Sequence, residues 1–293
     1  MKLSQYKPAS THRVLILGLS GSGKSTLAAE MAEHGYNLIW INTENAAETL
    51  LKLSPEAQDR VDLINIPDSA SYPIAAQTLL ILFNKGTAKI CDAHGKSGCP
   101  ICAKDLDAII TEVDFNKLGP KDIVVLDTAT QLSYSILSYT MKDKSLDTKP
   151  ERDDWGALRK YTEFFKSQFQ GARYNLIVTC QCQEAELEDK TTKLVPSFGS
   201  AGMSATFPSA FDHVIYTEVK NKTHRAYSTS TASNGFLTRS RSDFDIASSG
   251  KLSLLPIFTG QIEKPTVSTT QTNEQGSKAL TGLAALRSKM NGA

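Results

Sequence analysis

Two short stretches carry residue types at spacings that do chemistry. GLSGSGKS, Gly18 to Ser25, fits the pattern G-x-x-x-x-G-K-[ST], and CDAHGKSGCPIC, Cys91 to Cys102, arranges three cysteines and a histidine as C-x2-H-x4-C-x2-C. In the first, glycines let the backbone turn tightly enough for successive amides to face phosphate oxygens, and the positive end of a following helix stabilises their charge. The expected ATP-binding residues are Gly18, Ser20, Gly21, Ser22, Gly23, Lys24, Ser25 and Thr26, with Lys24 neutralising the outer phosphates and Ser25 binding magnesium. In the second, Cys91, His94, Cys99 and Cys102 are soft or borderline ligands that favour tetrahedral zinc. Four protein ligands leave no position for water, so the expected site is structural rather than catalytic. A loop of reduced, unliganded thiols is the alternative for this stretch.

The elements around these stretches must position them. RVLILG before the glycine loop reads as a strand and LAAEMAEHG after it as a helix closed by Gly35, the setting a phosphate loop requires. NLIWINTEN (37–45), VDLINI (61–66), DIVVLDTATQL (122–132) and NLIVTC (175–180) read as further buried strands, with SYPIAAQTLLILFNKG as a helix between two of them. The alternation predicts an α/β fold with a mainly parallel sheet covered by helices. AKDLDAIITEVDF is expected to be helical, and HVIYTEV, HRAYSTST and GFLTRSR to be later, antiparallel strands. Trp155, Leu158, Tyr161, Phe165 and Phe169 recur at helix-face spacing and are expected in the core. The expected organisation is an arm over 1–12, a core over 13–247 with a zinc-binding insertion at about 86–105, and a Ser/Thr/Gln-rich linker with a short helix over 248–293.

Two carboxylates complete a phosphate-loop chemistry. Asp127 ends the apolar run IVVLD, where a neighbouring strand must supply an acid to the magnesium shell; a plain turn residue is the alternative. Glu44, in INTEN, falls just past the end of the second strand, on the edge where ligands of open α/β sheets bind. There it would orient or deprotonate the water that attacks the γ-phosphate, or else only start the next helix through the helix dipole.

The order GLSGSGKST, NTEN, IVVLDT and LIVTCQ resembles the RecA-like P-loop ATPases. More narrowly, it is similar to the AAA-type nucleotide-binding proteins of phages that include RecA-like single-strand annealing recombinases. The resemblance covers roughly residues 13 to 245. It implies that Gln181 senses the γ-phosphate and that Cys180 and Cys182 are strand-end neighbours without chemistry. It also implies that the loop from Gln183 to Pro208 meets DNA, with Lys190, Lys193 and Phe198 supplying phosphate neutralisation and base stacking. The acids Glu184, Glu186, Glu188 and Asp189 depart from that role, and a mobile surface loop is the alternative. Arg239 and Arg241, in LTRSR, stand where the family reaches the nucleotide of a neighbouring subunit; a solvated basic strand end is the other reading.

Composition sets the outer limits. The chain has 293 residues, 40% of them hydrophobic, and a formal charge of +1, so nucleic-acid contact must come from local basic patches. It offers no run long enough to span a membrane, and MKLSQYKPASTH lacks the apolar core of a secretory signal, so the expected location is the cytoplasm. The leading expectation is an ATPase acting in DNA recombination, annealing or repair. Its partners would be single-stranded DNA, further copies in a ring or filament, and a single-strand DNA-binding protein. A nucleotide-switched zinc-bearing adaptor and a small-molecule kinase are the other two classes. Lys85, Lys89, Lys96 and Lys104 around the Cys/His stretch would make it a basic knob for DNA, or it staples an inserted loop.

Overall fold

Alternation along the central strands divides the core in two. In the computed structural model, residues 11–259 are described, apart from 45, 70–71, 146, 187–191, 229–237 and 241–251. Strand β1 (Arg13–Gly18) sends Val14 and Ile16 to one face and Leu15 and Leu17 to the other, and all four are fully buried. Such strands need helices on both sides. Helix α1 (Lys24–Glu33) and the short α2 (Pro55–Gln58) flank β2 (Asn37–Asn42) in the chain and contribute Leu27, Met31 and Ala57 to the first face. After β3 (Val61–Asn65), helix α3 (Ile74–Lys85) covers the second face. The chain then makes β4 (Thr87–Cys91), β5 (Ile110–Asp114) and β6 (Asp122–Asp127), and two more helices, α4 (Ala129–Thr140) and α5 (Arg152–Gly171). It continues through β7 (Asn175–Glu186), β8 (Thr192–Pro196), α6 (Ala201–Thr206), β9 (His213–Lys220), β10 (Thr223–Tyr227), β11 (Arg239–Ser240) and α7 (Leu255–Thr259).

The large sheet runs β10-β9-β1-β7-β6-β2-β3, and β3, β2, β6, β7, β1 and β9 are parallel. Strand β7 therefore sits between β1 and β6, bringing the ends of all three to one edge. Strand β9 is parallel to β1, against the expected antiparallel arrangement, while β10 and β11 do add to it antiparallel. The chain reaches β9 through α5, β7 and α6, a crossover long enough to restore the parallel direction.

Four further stretches depart from the sequence reading. The stretch after the Cys/His motif forms β5, not a helix: paired antiparallel to β4, it buries Val113 beside Ala88 and Ile90 against the core and leaves Ile110 and Glu112 outside. The expected loop 183–208 is mostly regular, because β7 runs on past the sheet and pairs with β8, Cys182 opposite Pro196. The segment 252–259, expected within a linker, buries Leu254 and Ile257 in the first face. On α5, Leu158, Phe165 and Phe169 are buried as expected, but Trp155, in the first turn, is 49% exposed. Residues 1–10 of the expected arm and the helix expected after residue 260 lie outside the described residues.

Candidate nucleotide site

The loop between β1 and α1 owes its shape to glycine. Gly21 and Gly23 have φ of 74° and 94°, where side chains are disfavoured, and Gly23 caps α1 from the left-handed region. A Cβ on Gly18 would lie 2.4 Å from both Ser22 Oγ and the Thr217 carbonyl, so this position admits no side chain. Ser22 Oγ lies 2.8 Å from Thr217 Oγ1, which donates to the Leu17 carbonyl at 3.0 Å, tying the loop to β9. Lys24, 7% exposed, arcs back so that Nζ donates to the carbonyls of Gly18 (3.1 Å) and Leu19 (2.9 Å). Burial lowers its pKa, and the negative charge of Asp127 opposes that shift most.

Asp127 lies where the spacing of IVVLD places it. It is 4% exposed and takes hydrogen bonds from the Thr179 and Ser25 hydroxyls. Burial raises its pKa; those two hydroxyls and Lys24 pull it back down. Sharing a hydrogen bond, Ser25 and Asp127 stand close enough to serve one magnesium ion, and a cation there would offset the burial of the carboxylate.

Glu44 reaches the same edge. Its Oε1 accepts from Thr128 Oγ1 at 2.8 Å, and its backbone N–H donates to Asn42 Oδ1 at 3.3 Å. Thr43 fastens the neighbouring strand ends: its amide donates to the Asp127 carbonyl at 2.8 Å, and its hydroxyl accepts from the Thr128 amide at 2.8 Å. Thr128 also caps α4, accepting from the Gln131 amide. Sequence reasoning passed over Thr43 and Thr128, because a threonine after a strand carries no signal until its neighbours are known.

Gln181 pairs with Gly18 in the β1–β7 register, level with the start of the loop, and its amide donates to Thr130 Oγ1 at 2.9 Å. Cys180 and Cys182 flank it. Burial pushes their thiols to about 12 and about 11, so both stay protonated at neutral pH and are poor nucleophiles. Beside the loop, Gly23, Thr26, Leu27, Glu30, His224 and Leu252 wall a cavity of about 230 Å³. His224 Nδ1 lies 3.1 Å from the Ser22 carbonyl. Nothing in the sequence marks His224, which comes from β10 at the far end of the chain. Three larger cavities, near Asn37 and Asp62, near Tyr72 and Tyr134, and near Phe83 and Tyr174, do not touch the loop.

The expected DNA and arginine residues fare differently. Phe198 is fully buried and stacked on Phe207 with centroids 4.1 Å apart, so the expected base stacking is corrected: this ring fills the core. Phe198→Ala is expected to cost about 3–5 kcal/mol of stability, read by chemical denaturation, with no selective loss of DNA affinity while the variant is folded. Lys193 sits half-buried on β8 opposite Ala185. Lys190 and Arg241 lie outside the described residues. The Arg239 backbone pairs with Val214, itself level with Leu15, so it stands well back from the Gly18 edge of its own chain.

Next to the β3 end of this edge, the four Cys/His ligand atoms come together within 4.8 Å of one another. His94 Nδ1 is 3.2 Å from Cys102 Sγ, 3.7 Å from Cys99 Sγ and 4.0 Å from Cys91 Sγ. No helix among the described residues is long and apolar enough to cross a membrane.

A family model described as the AAA domain matches residues 69–242, more than half of the chain. The chain belongs to the AAA domain family. The matched span holds β6, β7 and β9, and the phosphate loop precedes it, so motif and family together make this an AAA-type P-loop ATPase domain. No curated protein matches the chain. Among solved structures it is similar to an ATPase from the type III secretion system of pathogenic bacteria, at 13% identity over 70% of this chain and 51% of that one, with a TM-score of 0.39. It is also similar to the assembled ATPase EscN of the enteropathogenic E. coli type III secretion system, at 12% identity over 71% of this chain and 43% of that one, with a TM-score of 0.40. The AAA domain thus spans about half the length of these two chains.

Proposed function

We propose that this AAA domain is a RecA-like ATPase that hydrolyses ATP at the Gly18–Ser25 loop and works on single-stranded DNA in recombination, annealing or repair. The observation that carries the ATPase reading is the meeting of Lys24, the Ser25–Asp127 pair and Glu44 at one sheet edge. Lys24 neutralises the outer phosphates, and the loop amides cradle them. Ser25 and Asp127 would hold magnesium, which would draw charge off the phosphate oxygens. Glu44 orients the attacking water and takes its proton, while the Thr128 hydroxyl fixes the direction of the carboxylate. Gln181 reads the γ-phosphate from the next strand end. The cavity walled by Thr26, Leu27 and His224 suits the nucleoside.

The DNA part of the proposal draws on the resemblance and on the β7–β8 hairpin, which runs out from the strand bearing Gln181 and carries Lys193, with Lys190 between the two strands in sequence. Arg239 and Arg241 act on the nucleotide of a neighbouring copy in a cytoplasmic ring or filament, and a single-strand DNA-binding protein delivers the substrate. The deciding experiment is ATP hydrolysis with and without single-stranded DNA at low salt. Stimulation supports the proposal. ATP binding with no DNA binding removes its DNA half, tight ATP binding without turnover points to a nucleotide switch, and phosphate transfer to a metabolite points to a kinase.

A further inference from the structure

The Cys/His clasp rests on the end of β3, the neighbour of the strand that carries Glu44. Gly95, next to His94, has φ 63°, donates its amide to the Cys91 carbonyl at 2.8 Å, and accepts from Thr78 Oγ1 of α3 at 2.8 Å. A Cβ on Gly95 would lie 2.6 Å from the Asn65 carbonyl and 2.9 Å from Ile66 Cα, so the clasp backbone rests on the end of β3. Asn42 at the end of β2 then donates through Nδ2 to Asn65 Oδ1 at 2.8 Å, and its carbonyl accepts from the Ile66 amide at 2.9 Å. The Oδ1 of the same Asn42 takes the Glu44 amide. Clasp, β3, β2 and Glu44 form an unbroken series of contacts.

We propose that Cys91, His94, Cys99 and Cys102 bind one structural zinc ion, and that the zinc-held clasp, acting through Gly95, Asn65 and Asn42, sets the position of Glu44. The donor set argues for the ion. Zinc–sulfur bonds of about 2.3 Å and zinc–nitrogen bonds of about 2.0 Å place tetrahedral donors roughly 3.5–3.8 Å apart. The His94 contacts of 3.2 to 4.0 Å bracket that spacing. The packing argues that an ion is needed. The small cluster buried at the clasp consists of the three cysteines with Ala108 against them, while Ile101, Leu106 and Ile109 point outward at 64%, 103% and 69% exposure. A knuckle that turns its larger apolar side chains to solvent has no core of its own, so metal binding must supply its folding energy. The lysines favour a staple over a DNA-binding knob: Lys89 approaches Glu112 at 3.8 Å, and Lys96 lies 4.1 Å over the Tyr72 ring.

The coupling to turnover rests on the ATPase reading, so the test separates the two. Metal analysis of the purified full-length protein is expected to find one zinc per chain, lost in the Cys99→Ser, Cys102→Ser double variant; no zinc in native protein overturns the site. Hydrogen exchange is expected to quicken at the Glu44 and Ile66 amides on metal removal, and unchanged exchange there overturns the coupling. Asn65→Ala should keep its zinc and its nucleotide affinity yet lose about tenfold in ATP turnover, the scale of lost support around a metal site. Normal turnover in that variant also overturns the coupling, and it does so without disturbing the clasp. If the native protein hydrolyses no ATP, the ATPase reading fails while zinc content and exchange still decide this proposal.

Discussion

Replacing Lys24 with alanine is expected to abolish ATP turnover and to weaken nucleotide binding severely, with the fold retained. The ammonium is held under the loop by two carbonyls and is nearly out of water, so its charge acts through a medium that screens poorly. Removing one such donor from a developing negative charge costs about 10²–10³-fold in rate in other enzymes. A second loss adds to this. Lys24 is one of the groups that hold down the raised pKa of Asp127, so without it that carboxylate protonates more readily as pH falls, and magnesium is held less well on the acid side of neutrality. Phosphate release, titration with a fluorescent ATP analogue and a magnesium dependence measured at two pH values check the three parts. Lys24→Arg should not rescue, because a planar guanidinium cannot occupy the place of a compact ammonium beneath the Gly18 and Leu19 carbonyls. A variant with normal turnover would remove the loop from the chemistry.

The phosphate loop, Asp127 and the Cys/His ligands were legible in the sequence because each signal is local: a glycine pattern, an acid closing an apolar run, four ligands within twelve positions. The central strands were legible for a related reason, since burial on both faces leaves near-continuous apolar runs such as VLIL and IVVL. What was missed depends on partners distant in sequence. Thr128 gains meaning only because β2 brings Glu44 beside it, and Thr217 only because β9 lies against β1. ITEVD reads as the end of a helical segment until Ala88 and Ile90 give it a surface to pair with. Phe198 looked free for stacking because the sequence around it is loop-like; its burial requires Phe207 and Phe169 to converge from α5 and the segment after α6.

Glu44→Gln is expected to leave ATP binding within about twofold while slowing hydrolysis by about 10²–10⁴-fold, the range for loss of a positioned general base. The amide has nearly the same shape and can still accept from Thr128 through its oxygen, so the strand-end geometry around Thr43 and Asp127 is preserved. It cannot take a proton from water. The exposed position of Glu44 gives this residue no packing role whose loss would mimic the effect, unlike the buried Asp127, whose replacement would disturb fold and magnesium together. Thr128→Val separates orientation from basicity. It removes the hydroxyl that directs the carboxylate and the cap on the Gln131 amide, but leaves the base in place, so its turnover should fall by about tenfold, far short of the glutamine variant. Single-turnover rates for both variants, at saturating ATP and with matched thermal stability, check the ordering. If Glu44→Gln turns over normally while Thr128→Val is slow, the proton acceptor is another group at the same edge and Thr128 acts on the strand ends instead.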